Sequence, residues 1–219
     1  MPGIADITRR GVAADVAKVL CIFVHGRNQS PEDMEAAVVC HLTTPDVAYV
    51  LPRAGDKCWY NALAVDPLSD TTRAELGASL RDLSSVVQAL RAEAPGRPLV
   101  LAGFSQGACL SLEHGFTGDA PADAVVAFTG CRVGVPGDTR ANALPSGLPV
   151  YLSAGSADPW IPLPAFAEAA TELGRAGAVL RADVYPGRAH EVSAPEIAML
   201  DTVLRDLSAG QRPSMGATR

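Results

Sequence analysis

Lysine is almost missing from this chain: Lys18 and Lys57 are the only two among 18 basic residues, and arginine carries the rest. With 24 acidic residues the formal net charge is −6, and the arginines are scattered rather than clustered. Nucleic acid and anionic lipid both select for clustered positive charge, so neither is an expected partner. Aromatic residues are scarce at 5%, yet 48% of residues are hydrophobic and only 19% charged. That balance describes an aliphatic core and excludes a chain dominated by disorder. The five cysteines (Cys21, Cys40, Cys58, Cys109, Cys131) are odd in number and widely spaced, with no C-x-x-C pair. A zinc site or disulfide framework is therefore not expected. No run approaches the ~18 apolar residues of a membrane-spanning helix, which argues against stable membrane insertion. The N-terminal segment, with Asp6 and Arg9-Arg10, contains no apolar stretch of signal-peptide length. The expected location is the cytoplasm.

What is present is an alternation. At 219 residues the chain suits one domain. Short runs rich in Val, Ile and Leu recur at Val19 to Val24, Val47 to Leu51, Leu99 to Phe104, Ala124 to Phe128, Val150 to Ala154 and Val179 to Tyr185. Between them, Pro31 to Leu42, Ala74 to Ala94, Gln106 to His114, Leu163 to Leu173 and Ala194 to Leu207 carry helical periodicity. Five of the strand runs are almost unbroken, as in strands buried on both faces, while Val179 to Tyr185 alternates like an edge strand. Ser30-Pro31-Glu32-Asp33 and Ser193-Ala194-Pro195-Glu196 carry helix-start chemistry. The expectation is an α/β fold with a mostly parallel sheet, one domain over residues 1–209, and a flexible Pro, Ser and Gly-containing tail over 210–219.

One short segment carries chemistry. In Gly103-Phe104-Ser105-Gln106-Gly107, Ser105 falls where a strand run gives way to a helix. A sharp strand-to-helix turn holds a nucleophile in a strained backbone conformation, and bulky neighbours two positions away would collide. Gly103 and Gly107 remove that collision. The same turn aims N–H groups of the new helix, Gln106 among them, at an oxyanion forming on a carbonyl. A helix-capping serine in a glycine-rich turn would spell the same string, so the partners matter.

A serine hydroxyl needs a base, and the base an orienting acid. His190 follows the last strand run through Pro186-Gly187-Arg188-Ala189, at the carboxyl end of the sheet where an open α/β fold gathers its site. His25, His41 and His114 are its rivals, and none lies in a loop beyond a later strand. The tempting H-E-x-x-H zinc pattern after His190 fails because Ala194 stands in the last position. Asp158, just past Val150 to Ala154, completes the order nucleophile, acid, histidine. Asp138 and Asp183 are the alternative acids, and a turn-forming aspartate before Pro159 is the plainer reading of Asp158.

These residues resemble the phospholipase/carboxylesterase family of small α/β-hydrolases, related to acyl-protein thioesterases and bacterial carboxylesterases. The likeness rests on Phe23-Val24-His25-Gly26-Arg27, Leu51-Pro52-Arg53-Ala54, Trp59-Tyr60, the Ser105 elbow, and the Asp158 and His190 segments. It implies an α/β-hydrolase fold and hydrolysis of short- to medium-chain carboxylic esters through an acyl-enzyme, without a cofactor. It further implies that the Arg27 N–H joins that of Gln106 as an oxyanion donor. Trp59 would line the substrate pocket, with Trp160 covering it. Asn28 departs from a frequent second glycine, and Ala108 from another. Evidence for strands before Val19 is weak, so the first antiparallel strands of the full fold are expected to be reduced or absent. No insertion is long enough for a lid domain, which favours an open pocket.

A lysophospholipase, an acyl thioesterase or a dienelactone-type hydrolase would fit the same scaffold, the last disfavoured by serine rather than cysteine at the elbow. A ligand-binding homologue without catalysis is the reading from another class. The expected partner is a small-molecule ester; a homodimer is left open.

Overall fold

The computed structural model describes residues 3–216. Seven strands form one sheet in the order β1-β3-β2-β4-β5-β6-β7. They are β1 (Ile4–Gly11), β2 (Val19–Val24), β3 (Val47–Ala54), β4 (Leu99–Phe104), β5 (Ala124–Phe128), β6 (Pro149–Gly155) and β7 (Val179–Tyr185). All pairings are parallel except β1 with β3. Among the described residues five α-helices accompany them: α1 (Pro31–Ala37), α2 (Asp70–Glu93), α3 (Gln106–Thr117), α4 (Leu163–Arg175) and α5 (Ala194–Ser208).

The unbroken apolar runs are explained by two-sided burial. One face of the sheet, with Leu20, Ile22, Leu99 and Leu101, packs with Leu83, Val87 and Leu90 of α2, Leu112 of α3 and Phe166 of α4. Alternate residues of the same strands, Cys21, Phe23, Val100 and Ala102, point to the other face. There they pack with Met34 of α1 and Met199, Leu200, Val203 and Leu204 of α5. Alternation along each strand thus feeds two aliphatic half-cores. β7 lies at an edge, as its alternating pattern indicated.

Three differences from the expected elements have a physical reason. A full-length antiparallel strand exists before Val19: β1 pairs over its length with β3. It is an exposed edge whose polar residues are held by ion pairs, Arg9 with Glu93 and Asp6 with Arg53, so it lacks the apolar signature of its neighbours. The helix expected over Pro31 to Leu42 ends at Ala37 and gives way to one 3-10 turn, Val39–His41. Helix α2 begins four residues early, at Asp70, because the Ser69 hydroxyl accepts the Thr72 N–H at 3.1 Å.

Of the tail marked for fraying, residues 217–219 lie outside the described residues. The stretch before them is laid back against the fold: the Ser214 N–H donates to Asp206 at 2.9 Å and Met215 is buried.

Candidate active site

The sheet delivers its functional loops from the carboxyl ends of β2, β4, β6 and β7. After β4 the chain turns at Ser105, whose φ of 56° and ψ of −121° lie in a region L-residues rarely occupy. Its N–H donates to Phe128 O at 2.9 Å, tying the turn to the end of β5. A Cβ at Gly103 would strike the backbone of Gly107, and one at Gly107 would strike the carbonyls of Val24 and His25. Gly103 is thus required by the tight return of α3 onto the end of β4, and Gly107 by the close passage of α3 over the end of β2. Ala108, the departure noted in the sequence, is accommodated because Gly130 faces it without a side chain: a Cβ there would come within 2.9 Å of the Ala108 methyl.

Around Ser105 the structure gathers the base and acid candidates. His190 Nε2 lies 2.8 Å from Ser105 Oγ, and His190 Nδ1 lies 2.7 Å from Asp158 Oδ2. The Asp158 side chain is fully buried, and its other oxygen accepts the N–H groups of Trp160 at 2.7 Å and Ile161 at 3.0 Å. Those two bonds fix the carboxylate so that one oxygen faces the imidazole. The acid and base loops are also zipped together. Ser156 N–H donates to Tyr185 O, Ala157 N–H to Arg188 O, and Gly187 N–H to Ser156 Oγ. The Phe104 ring lies against His190, 5.0 Å between centroids.

The rivals are engaged elsewhere. His25 is buried, with Nδ1 2.7 Å from Gly26 O and Nε2 accepting the Ala54 N–H at 3.0 Å, and burial lowers its pKa. Both contacts require the neutral tautomer with hydrogen on Nδ1. His114 is buried within α3, and His41 sits in the exposed 3-10 turn. Asp138 accepts the N–H groups of Leu68 and Val135, which lower its pKa. Asp183 pairs with Arg181 on β7.

The loop after β2 supplies the other wall. Gly26 N–H donates to Gln29 Oε1 at 3.0 Å and Asn28 N–H to Lys57 O at 2.7 Å. Between them, the Arg27 N–H has no acceptor among the described residues. The Gln106 N–H is likewise free among these residues, as the first-turn position of α3 dictates. The Arg27 guanidinium is occupied with the following loop: it donates to the carbonyls of Tyr60 and Asn61 at 3.0 Å each and to that of Ala62.

A cleft of about 240 Å³ opens over Ser105, bounded by Arg27, Asn28, Gln106, His190 and an apolar wall of Tyr60, Leu63, Ala64, Trp160 and Ile161. Trp160 is 58% exposed and stands at the rim. Trp59, expected to line this pocket, does not reach it. It is 1% exposed, packs 4.9 Å from the His25 ring and donates its indole N–H to His25 O at 2.8 Å. The neighbouring Tyr60 takes the wall position instead. The Gln106 side chain holds the backbone of this pair, accepting the Trp59 N–H at 3.0 Å and donating to Tyr60 O at 2.7 Å. Leu63, Ala64 and Ile161 carried no motif and could be found only through the fold.

Sheet order, elbow and loop placement define an α/β-hydrolase. More narrowly, residues 12–208 match the phospholipase/carboxylesterase family model, and the chain belongs to that family. It is similar to a phospholipase/carboxylesterase from Dyadobacter fermentans, with 29% identity over 92% of this chain and 97% of the other, at a TM-score of 0.80. Esterase PE8 shares the fold at 22% identity and TM-score 0.73, covering 94% of this chain and 99% of the other. Zea mays acyl-protein thioesterase 2 does so at 15% identity and TM-score 0.72, covering 93% and 99%. No curated protein matches the chain significantly. Among the described residues no helix is long and apolar enough to cross a membrane.

Proposed function

We propose that this family member is a serine carboxylesterase acting on short- to medium-chain carboxylic esters through an acyl-enzyme. The observation that carries the reading is the unbroken relay Ser105 Oγ, His190, Asp158, with contacts of 2.8 and 2.7 Å, opening into the cleft. Ser105 Oγ attacks the ester carbonyl as His190 Nε2 takes its proton. Asp158 holds the imidazole with hydrogen on Nδ1 and stabilises the imidazolium. The N–H groups of Arg27 and Gln106 donate to the oxyanion. His190 then returns the proton to the leaving alcohol, and water repeats the sequence on the acyl-enzyme.

Cleft size supports the chain-length assignment. About 240 Å³ lies below the ~300 to 1,000 Å³ of sites that enclose drug-sized ligands, so a short acyl group fills it. The apolar wall matches an alkyl chain, and the cleft is open to solvent where a longer substituent would leave. A cytoplasmic location accords with free cysteines at all five positions. Turnover of a p-nitrophenyl ester series should peak at short or medium chains and fall at least 10³-fold in Ser105→Ala. Matched thioesters and lysophospholipids turned over faster than the esters would reassign the substrate; an active Ser105→Ala would remove the mechanism.

A further inference from the structure

Arg188 lies two residues before His190, and its side chain turns inward instead of out to solvent. It is 7% exposed and faces Glu196, which is fully buried in the first turn of α5, at 2.6 Å. Its second terminal nitrogen donates to Thr129 Oγ1 at 2.9 Å. The Thr129 N–H donates to Ser153 Oγ at 3.2 Å, and the Ser153 hydroxyl donates to Glu196 Oε1. The side chains of Arg188, Glu196 and Ser153 therefore close a ring with Thr129, which joins it through its hydroxyl on one side and its backbone N–H on the other.

Three members of the ring adjoin a support of a triad residue. Thr129 follows Phe128, whose carbonyl accepts the Ser105 N–H. The Arg188 carbonyl accepts the N–H of Ala157, the residue before Asp158. The Arg188 guanidinium also donates to the carbonyl of Glu191, the residue after His190. Ser153 lies in β6, the strand that leads to Asp158. Two further features show that the arrangement is over-determined. Thr129 holds φ at 56°, unfavourable for a β-branched residue and retained only where surrounding bonds impose it. A Cβ on Gly155 would strike the Arg188 carbonyl, so β6 admits that carbonyl only with glycine there. Glu196 additionally accepts the N–H and hydroxyl of Ser193 at 2.7 and 2.6 Å, fixing the start of α5.

Resting on the reading of Ser105, Asp158 and His190 as a triad, we propose that Arg188 is the positioning residue of the site, and that its ring with Glu196, Ser153 and Thr129 holds the three triad loops in one register. Arg188 does not touch the substrate; it acts through the loop that carries His190. A planar fork is needed, because one side chain must reach Glu196, Thr129 and Glu191 O together, and lysine cannot. Displacements of about 1 Å at such a centre cost turnover rather than binding.

The test compares wild type with Arg188→Lys, Thr129→Ala and Thr129→Ser, each checked for cooperative urea unfolding. Arg188→Lys and Thr129→Ala should lower kcat about 10- to 100-fold with KM within twofold. Thr129→Ser, which keeps the hydroxyl, should stay near wild type. The low-field NMR proton of the His190–Asp158 hydrogen bond should broaden or vanish in the impaired variants. Wild-type kcat and an intact low-field proton in folded Arg188→Lys would overturn the proposal, as would equal losses in Thr129→Ser and Thr129→Ala. If Arg188→Lys fails to fold, the Thr129 pair decides. Failure of fluorophosphonate to label the wild type would instead strike the triad reading, while the NMR signal reports the ring without turnover.

Discussion

Asn28 donates its backbone N–H to the carbonyl of Lys57, and both residues hold left-handed backbone angles, φ 60° and 57°. This clasp joins the loop after β2 to the loop that presents Tyr60. It also accounts for asparagine at this position, since asparagine is among the side-chain-bearing residues that tolerate this conformation best. With Gly26 and Asn28 both bonded, the Arg27 N–H is the donor left over.

The oxyanion assignment therefore has a backbone test. Asn28→Gly should retain kcat within about threefold, because glycine adopts the same angle without strain. Asn28→Val should lower kcat by about 10²-fold, the scale of one lost oxyanion donor, because a β-branched residue drives the loop out of the left-handed region. Steady-state kinetics on one short-chain ester distinguish the two.

The two tryptophans should part company. Trp160→Ala should leave urea stability within about 0.5 kcal/mol of wild type and change the acyl-chain profile, since the ring stands exposed at the rim. Trp59→Ala should cost about 3–5 kcal/mol, the range for emptying a buried aromatic site. Chain-length profiling together with urea melts checks both.

His114 predicts a pH dependence of folding. Its ring is buried, neither nitrogen has a partner among the described residues, and burial lowers its pKa to about 4 from 6.5. The unfolded chain therefore binds a proton between pH 6.5 and 4 that the folded chain refuses. Stability falls as pH drops through that window and levels off below it, by a total of about 3 kcal/mol from this group. His114→Leu should flatten that part of the profile in urea melts at pH 7, 5.5 and 4.5; an unchanged slope would contradict the assignment.

What the sequence made legible followed local rules. The elbow needed glycines at fixed offsets, and Gly103 and Gly107 meet the backbone they were read as clearing. The fully buried strands announced themselves as apolar runs because helices cover both faces. β1 was hidden for the opposite reason: an exposed edge held by ion pairs has no apolar signature. Trp59 and Tyr60 could not be told apart in sequence, because the Trp59 ring is drawn into the core by its bond to His25 O, 34 residues away. The ring around Arg188 spans 59 residues to Thr129 and left only a capping-box glutamate as a local trace.

Ser105 as the nucleophile is the claim on which the rest depends, and alkyl-fluorophosphonate labelling read by intact mass and peptide mapping tests it most directly. The relay predicts one adduct per chain, located on Ser105, absent from Ser105→Ala and formed far more slowly in a folded His190→Ala variant. Full labelling of Ser105→Ala, or an adduct mapped to any other residue, would contradict it.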